Sequence, residues 1–232
     1  MILVGIDDTD TLETPGTNQL ARKLLAVLPP GLRARRILRH QLLVDPRIPY
    51  TSHNGSASIL LDGEADPAVL FDCLAAEMRS RFVPGSDPGL CVATAMTDDV
   101  VRFARRCETE VVEQQEAREV ARAAGVRLEG LGGTEQGVVG ALAAVGLGST
   151  GEDGRVVHLA DWPWPDEMTG PQPFERVTAR GVEVVVDIET DDVVHGGVID
   201  VGKRLRPNLR GGRVVLYVAS KGPDAWEAVR KK

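Results

Sequence analysis

The stretch that decides the reading is Met1-Ile2-Leu3-Val4-Gly5-Ile6, followed at once by Asp7-Asp8-Thr9-Asp10. The first six residues form a short apolar run with β-branched content, which is the pattern of a buried strand. The carboxylates that follow are packed closely enough to repel one another. Such a group is comfortable only when it is solvated, paired with cations or coordinating a hard metal. Oxygen ligands of this kind suit magnesium, which keeps several waters and bridges to phosphates. In open α/β sheets, ligands gather beyond the carboxyl ends of strands, and that is where the acids stand. The same residues also fit an acidic turn that caps the next helix, with Thr9 or Asp10 as the cap. Spacing alone leaves both readings open.

Working outward, Thr17 to Leu28 has helical spacing, with Leu20, Leu24, Leu25 and Leu28 on one face and Pro29-Pro30 as the stop. Ile37 to Val44, Ser56 to Leu61 and Leu90 to Ala95 read as strands, and Asp66-Pro67 opens a helix that runs to about Phe82. A second unit is expected from near Thr97. It holds helices at Asp98–Cys107 and Gln114–Ala124, a short strand at Val126–Leu128 and a small-residue helix at Val138–Val145. The Pro-rich connection from Trp162 to Pro173 leads to strands at Val182–Ile188 and Val214–Ala219. The expected fold class is α/β (α+β), with domains at 1–97 and 98–232.

Composition narrows the function. Hydrophobic residues make up 43% and charged residues 26% of the 232 positions, which fits a folded globular chain and not a disordered one. Aromatics are only 4%, so a platform that binds single strands by base stacking is unlikely chemistry for this chain. The formal net charge of −7 means that any nucleic-acid contact must come from local patches. Cys73, Cys91 and Cys107 form no CxxC pair, so no structural zinc signature is present and buried free thiols are expected. No apolar run reaches the roughly 18–20 residues of a membrane span, and no basic, then apolar, leader opens the chain. A cytoplasmic location without membrane partners is the expectation.

Neither a P-loop nor a GxGxxG fingerprint is present: Gly130-Leu131-Gly132 is followed by Gly133 and then Gly137. Backbone N–H groups between Gly132 and Gly137 could hold an anion where the next helix starts, or the small residues could simply allow close packing. Among the histidines, His53 stands out because it lies in the polar loop Pro49-Tyr50-Thr51-Ser52-His53-Asn54-Gly55-Ser56, which feeds a strand. Two stretches are basic: Arg33, Arg35, Arg36, Arg39 and His40, and Lys203-Arg204-Leu205-Arg206-Pro207-Asn208-Leu209-Arg210-Gly211-Gly212-Arg213. The second contains no acid and reads either as a phosphate-binding loop or as a surface loop that balances the acids.

These residues also carry a resemblance. Gly5-Ile6-Asp7-Asp8-Thr9-Asp10-Thr11 resembles the GIDDTDS opening of the TiaS family, the archaeal tRNA-isoleucine agmatidine synthetases. Thr17 falls where that family has the threonine of its kinase-like domain. Asp45-Pro46-Arg47-Ile48-Pro49 with Asn54-Gly55-Ser56-Ala57 is similar to its NPN-x-P and RGNGA segments, and Asp87-Pro88-Gly89 to its NPG. Gly137-Val138-Val139-Gly140-Ala141-Leu142-Ala143-Ala144-Val145-Gly146 is similar to its GLIGALAAIG helix. The match covers about residues 1–150.

The family uses ATP and magnesium to activate the C2 oxygen of a tRNA wobble cytidine, which agmatine then displaces. The resemblance implies a kinase-like domain at 1–97 and a ferredoxin-like domain with a C-terminal β extension at 98–232, without the family's OB-fold or zinc ribbon. It implies ATP and Mg as cofactors, with Asp7, Asp8 and Asp10 on the metal and Thr9, Asn54, Gly55, Gly132, Gly133 and Gly137 helping to bind the nucleotide. Asp8, Thr17 and His53 would carry the chemistry, Thr17 beside the transferred phosphoryl group. The family's basic residues are replaced here by Thr51, Ser52 and His53. The expected function is an ATP-dependent kinase- or ligase-like enzyme acting on a small molecule or nucleoside. Two alternatives stand beside it: a non-catalytic nucleotide-binding regulatory module, and direct tRNA modification.

Overall fold

Antiparallel pairing organises the first 150 residues. In the computed structural model, which describes residues 1–48, 53–160, 162 and 168–231, the chain divides into two units, Met1–Thr150 and Gly151–Lys232. The first unit holds five strands: β1 (Ile2–Asp7), β2 (Arg33–Arg39), β3 (Ala57–Asp62), β4 (Gly89–Ala93) and β5 (Arg127–Gly130). They lie in the order β5-β4-β1-β3-β2, and each neighbouring pair is antiparallel. Around them are α1 (Thr17–Leu24), α2 (Pro67–Ser80), α3 (Asp98–Arg106), α4 (Gln114–Ala123) and α5 (Gly137–Thr150). No described helix is long and apolar enough to cross a membrane.

β1 is the middle strand and is buried on both faces, as its unbroken apolar run requires. Leu3, Gly5 and Asp7 point to the face that carries α5, since side chains alternate along a strand. Here the small residues of α5 are decisive. A Cβ on Gly5 would lie 2.0 Å from the Ala141 carbonyl oxygen, and one on Gly148 would lie 2.6 Å from Ser58 Oγ. One on Gly146 would lie 2.5 Å from Ala104 Cβ of α3. Glycine at these positions lets α5 sit directly on the sheet and against α3. The helices α1 and α2 pack on the sheet and on each other, and bury Leu24, Leu70, Phe71, Leu74 and Met78. Asp66 caps α2 by accepting a hydrogen bond from the Ala68 N–H at 2.8 Å, with Pro67 at the first helical position.

Two sequence expectations change here. The boundary expected between residues 97 and 98 falls inside the first unit, because β5 pairs with β4 and α5 packs on β1. The strand expected at 37–44 is β2, at Arg33–Arg39. Its first residues alternate exposed and buried, which hides a strand behind its arginines.

The second unit is strand-rich, with β6 (Arg155–Leu159), β7 (Pro171–Pro173), β8 (Val184–Asp187), β9 (Val198–Asp200), β10 (Asn208–Arg210), β11 (Arg213–Gly222) and β12 (Ala225–Ala228), and one short helix, α6 (Phe174–Thr178). Its strands run in the order β6-β10-β11-β12-β9-β7, and β8 is parallel to β11. Part of the Pro-rich connection, including Trp164 and Pro165, lies outside the described residues.

Candidate functional site

The antiparallel order of the first unit builds the site. Pairing places Asp7, the last residue of β1, opposite Gly89, the first of β4, and Ile6 opposite Ala57, the first of β3. The end of one strand therefore meets the starts of its two neighbours. The N-terminal turns of α1 and α5 close the same corner, and a cleft opens between these segments. The acids stand at the carboxyl end of β1, as the sequence places them, and the arrangement that gathers them is an antiparallel one.

The cleft is lined by Asp7, Asp8, Asp10, Thr17, His53, Asn54, Gly55 and Gly137 from the sequence-predicted set. Its cavity volume is about 90 Å³. One buried water needs ~10–15 Å³ on this measure, so a hydrated cation with a phosphate group has room. Leu42, Ile48, Val112 and Val139 give the cleft an apolar wall, and Cys107, Glu110, Gln136 and Gly140 also line it. None of these eight was among the site residues expected from sequence. The apolar four carry no sequence signal of their own. Glu110 lies past the end of α3, accepts from Arg106 Nε at 2.8 Å and carries no local sequence signal that marks it for the cleft.

The acids take different roles. Burial, reinforced by the charges of Asp8 and Asp10, pushes the Asp7 carboxyl up to about 7. Burial again, with the charges of Asp87 and Asp10 added, pushes Asp8 up to about 6. Two carboxylates held at such a disadvantage in one cleft favour a cation. Asp7 also lies over the first turn of α5: a Cβ on Gly140 would fall 1.7 Å from its Oδ2. Asp10 instead organises α1. Its Oδ1 accepts from the Thr17 backbone N–H at 3.2 Å and from the Thr17 hydroxyl at 2.9 Å. The capping reading and the site reading therefore meet in one residue. Buried Thr9 donates its hydroxyl to Thr17 Oγ1 at 3.2 Å, behind the cleft and not in its lining.

The loop before β3 is fixed by Asn54, whose Nδ2 donates to the Leu43 carbonyl at 2.6 Å. His53 is exposed at the rim. Thr51 and Ser52 lie outside the described residues. Cys107 is no nucleophile, because burial pushes its thiol up to about 12 and keeps it protonated.

The glycine-rich segment differs from expectation. Gly132 and Gly133 do not line the cleft. A Cβ on Gly132 would meet the Phe82 ring at 2.4 Å, and one on Gly133, at φ +60°, would meet Asp87 Oδ1 at 2.0 Å. The N–H groups of Gly137, Val138 and Val139 donate to the carbonyls of Asp87, Glu135 and Gln136. They are not free anion donors; the glycines make room for the segment that leads into β4.

Asp7 and Asp8 are the carboxylates of the cleft that could hold a hard cation. Among the described residues, no three His, Cys, Asp or Glu side chains form a ready-made metal cage. Magnesium is commonly held by one or two carboxylates with waters and substrate phosphates, and Asp7 and Asp8 supply that number.

No family model matches the chain, and no curated protein does. Solved structures do. A tRNA fluorescent labeling enzyme aligns at 25% identity and a TM-score of 0.50, covering 62% of this chain and 35% of its own. Apo TiaS, the tRNA-Ile2 agmatidine synthetase, aligns at 22% identity and a TM-score of 0.50 over 83% of this chain and 48% of its own. The complex of TiaS with tRNA(Ile2) and ATP aligns at 22% identity with a TM-score of 0.49 over the same shares. The chain spans about a third to a half of these proteins, and over that span its mixed α/β fold is similar to that of TiaS.

Proposed function

We propose that the first unit binds magnesium–ATP in the cleft at the end of β1 and uses it to activate a second substrate. The observation that carries this reading is the placing of Asp7, Asp8 and Thr17 in the lining of one cleft, where burial disfavours the ionised form of both carboxyls. Asp7 and Asp8 would hold the metal. Bound magnesium–ATP supplies a transferable phosphoryl group and positive charge against the carboxylates. Asp10 orients Thr17 by accepting from both its N–H and its hydroxyl, which fixes that oxygen at the cleft wall. Phosphoryl transfer asks mainly for such positioning and charge neutralisation. The apolar wall of Leu42, Ile48, Val112 and Val139 suits the flat, poorly hydrated face of a base or a small organic substrate.

The substrate class is a small molecule or nucleoside. Direct tRNA modification is the second reading, favoured by the fold similarity to a tRNA-Ile2 agmatidine synthetase. The test is ADP or AMP release from magnesium–ATP across a panel of nucleosides, amines and tRNA. Stimulated release by one class identifies it. Bound nucleotide without release under every condition leaves a regulatory module in place of an enzyme. Absence of both release and binding at millimolar nucleotide overturns the reading. For tRNA, affinity that falls steeply with salt is expected from phosphate contacts, and absent or salt-insensitive binding removes that substrate.

A further inference from the structure

Asp87 lies just behind the cleft and contributes nothing to its lining, yet three segments of the site converge on it. Its backbone N–H donates to the Asp8 carbonyl at 3.1 Å, and its own carbonyl accepts from the Gly137 N–H at 2.8 Å. Its carboxylate Oδ1 accepts from the Thr134 N–H. The end of β1, the lead into β4 and the entry to α5 are thus joined through one residue.

The surroundings are shaped to it. A Cβ on Gly137 would lie 2.5 Å from the Asp87 carbonyl oxygen, and one on Gly133 would lie 2.0 Å from its carboxylate. Ser86, beside it, is 1% exposed and donates its hydroxyl to the Val83 carbonyl at 2.7 Å, which anchors the loop. Asp8 sits at φ 51°, in the left-handed region that costs a non-glycine residue free energy unless its neighbours hold it there. The hydrogen bond from Asp87 is one such hold.

We propose that the Asp87 carboxylate is a positioning group for the cleft: by accepting from the Thr134 N–H it seats the loop whose backbone holds the strained Asp8 and the start of α5 in one frame. The effect on nucleotide binding rests on the magnesium–ATP reading above; the seating of the loop does not. The geometry asks for an acceptor oxygen at Oδ1, which an asparagine amide oxygen also supplies.

The test compares Asp87→Ala and Asp87→Asn with the wild-type chain, reading magnesium–ATP affinity and amide hydrogen exchange at Thr134 and Gly137. Loss of a hydrogen bond to a charged group is expected to weaken affinity about tenfold in Asp87→Ala and to speed exchange at both amides. Asp87→Asn keeps the acceptor and is expected to stay within about threefold of wild type, with protected amides. If Asp87→Ala does not fold, Asp87→Leu, which keeps the branched shape and has no acceptor, takes its place with the same expectation. Wild-type affinity and exchange in the variant without the acceptor overturns the proposal, and so does equal impairment of that variant and the asparagine variant. Should the wild type itself bind no magnesium–ATP, the nucleotide reading fails, and the exchange measurement still decides the seating of the loop.

Discussion

Two charged segments stand out in this sequence, and the fold treats them in opposite ways. Asp7, Asp8 and Asp10 are delivered by a fully buried strand into a cleft, where burial and mutual repulsion suppress the acidity of two of them. The basic stretch from Lys203 to Arg213 is in part absorbed into regular structure: Asn208 to Arg213 forms the β10–β11 hairpin, and Lys203 to Pro207 is turn and coil. Arg210 and Arg213 pair across a two-residue hairpin, and Gly211 and Gly212 take φ values of 56° and 70°. Arg206 and Arg210 donate to the carbonyls of Leu205 and Leu209, and Lys203, Arg204 and Arg213 remain exposed. Charge density in a sequence does not make a site. An apolar strand that drags charges out of water does, because only then are they left needing a partner.

The comparison can be broken most severely through the packing that buries the acids. Gly5→Val places a side chain against the Ala141 backbone, where even a Cβ would be 2.0 Å away. Overpacking of this kind costs about 3 kcal/mol and is expected to lower Tm by about 6–12 °C, read by calorimetry. An unchanged Tm would mean that α5 does not rest on β1 as described.

Next in size is the separation of stability from function at Asp8. Asp8→Asn removes a carboxylate that folding places at a disadvantage, so the ligand-free protein should become more stable while magnesium–ATP affinity falls by about two orders of magnitude. A destabilised variant would show instead that Asp8 has a favourable partner.

The pH dependence of the ligand-free chain has a definite sign. Asp7 and Asp8 ionise near 7 and 6 when folded, against an ordinary value of 3.8, so the folded state holds more protons between about pH 4 and pH 7. Their contribution is therefore most favourable below that window, declines as pH rises through it and is flat above. Thermal unfolding followed by circular dichroism across this range checks it. Added magnesium–ATP should raise Tm more at pH 8 than at pH 5.

The smallest effect belongs to the basic segment. Arg204→Ala is expected to change stability by no more than about 0.5 kcal/mol, as exposed substitutions usually do. It should leave magnesium–ATP affinity unchanged in the same titration. A marked loss there would return this stretch to the candidate phosphate sites.

Much of the candidate cleft's lining was legible because its determinants are local. The apolar run of β1 with the acids at its end, the helix opening at Thr17 and the polar loop before β3 are all patterns within a few residues. What stayed hidden depends on pairing between distant segments. Nothing near Asp87 or Gly133 in sequence says that Thr134 donates to Asp87, or that Gly133 has no side chain because a carboxylate fills the space. The small-residue helix was legible as a packing element, but its partner, Gly5 on the central strand, was not. For the same reason the reach of the first unit to Thr150 was missed: the β4–β5 and α5–β1 contacts that extend it join residues far apart in the chain.

The most direct measurement is a calorimetric titration of ATP into the wild-type chain and the Asp8→Asn variant, each with magnesium and with chelator. The account predicts binding by the wild type with magnesium, binding about a hundredfold weaker by Asp8→Asn with magnesium, and no binding by either with chelator. Equal affinity in all four titrations, or no heat in any of them at millimolar nucleotide, would contradict it.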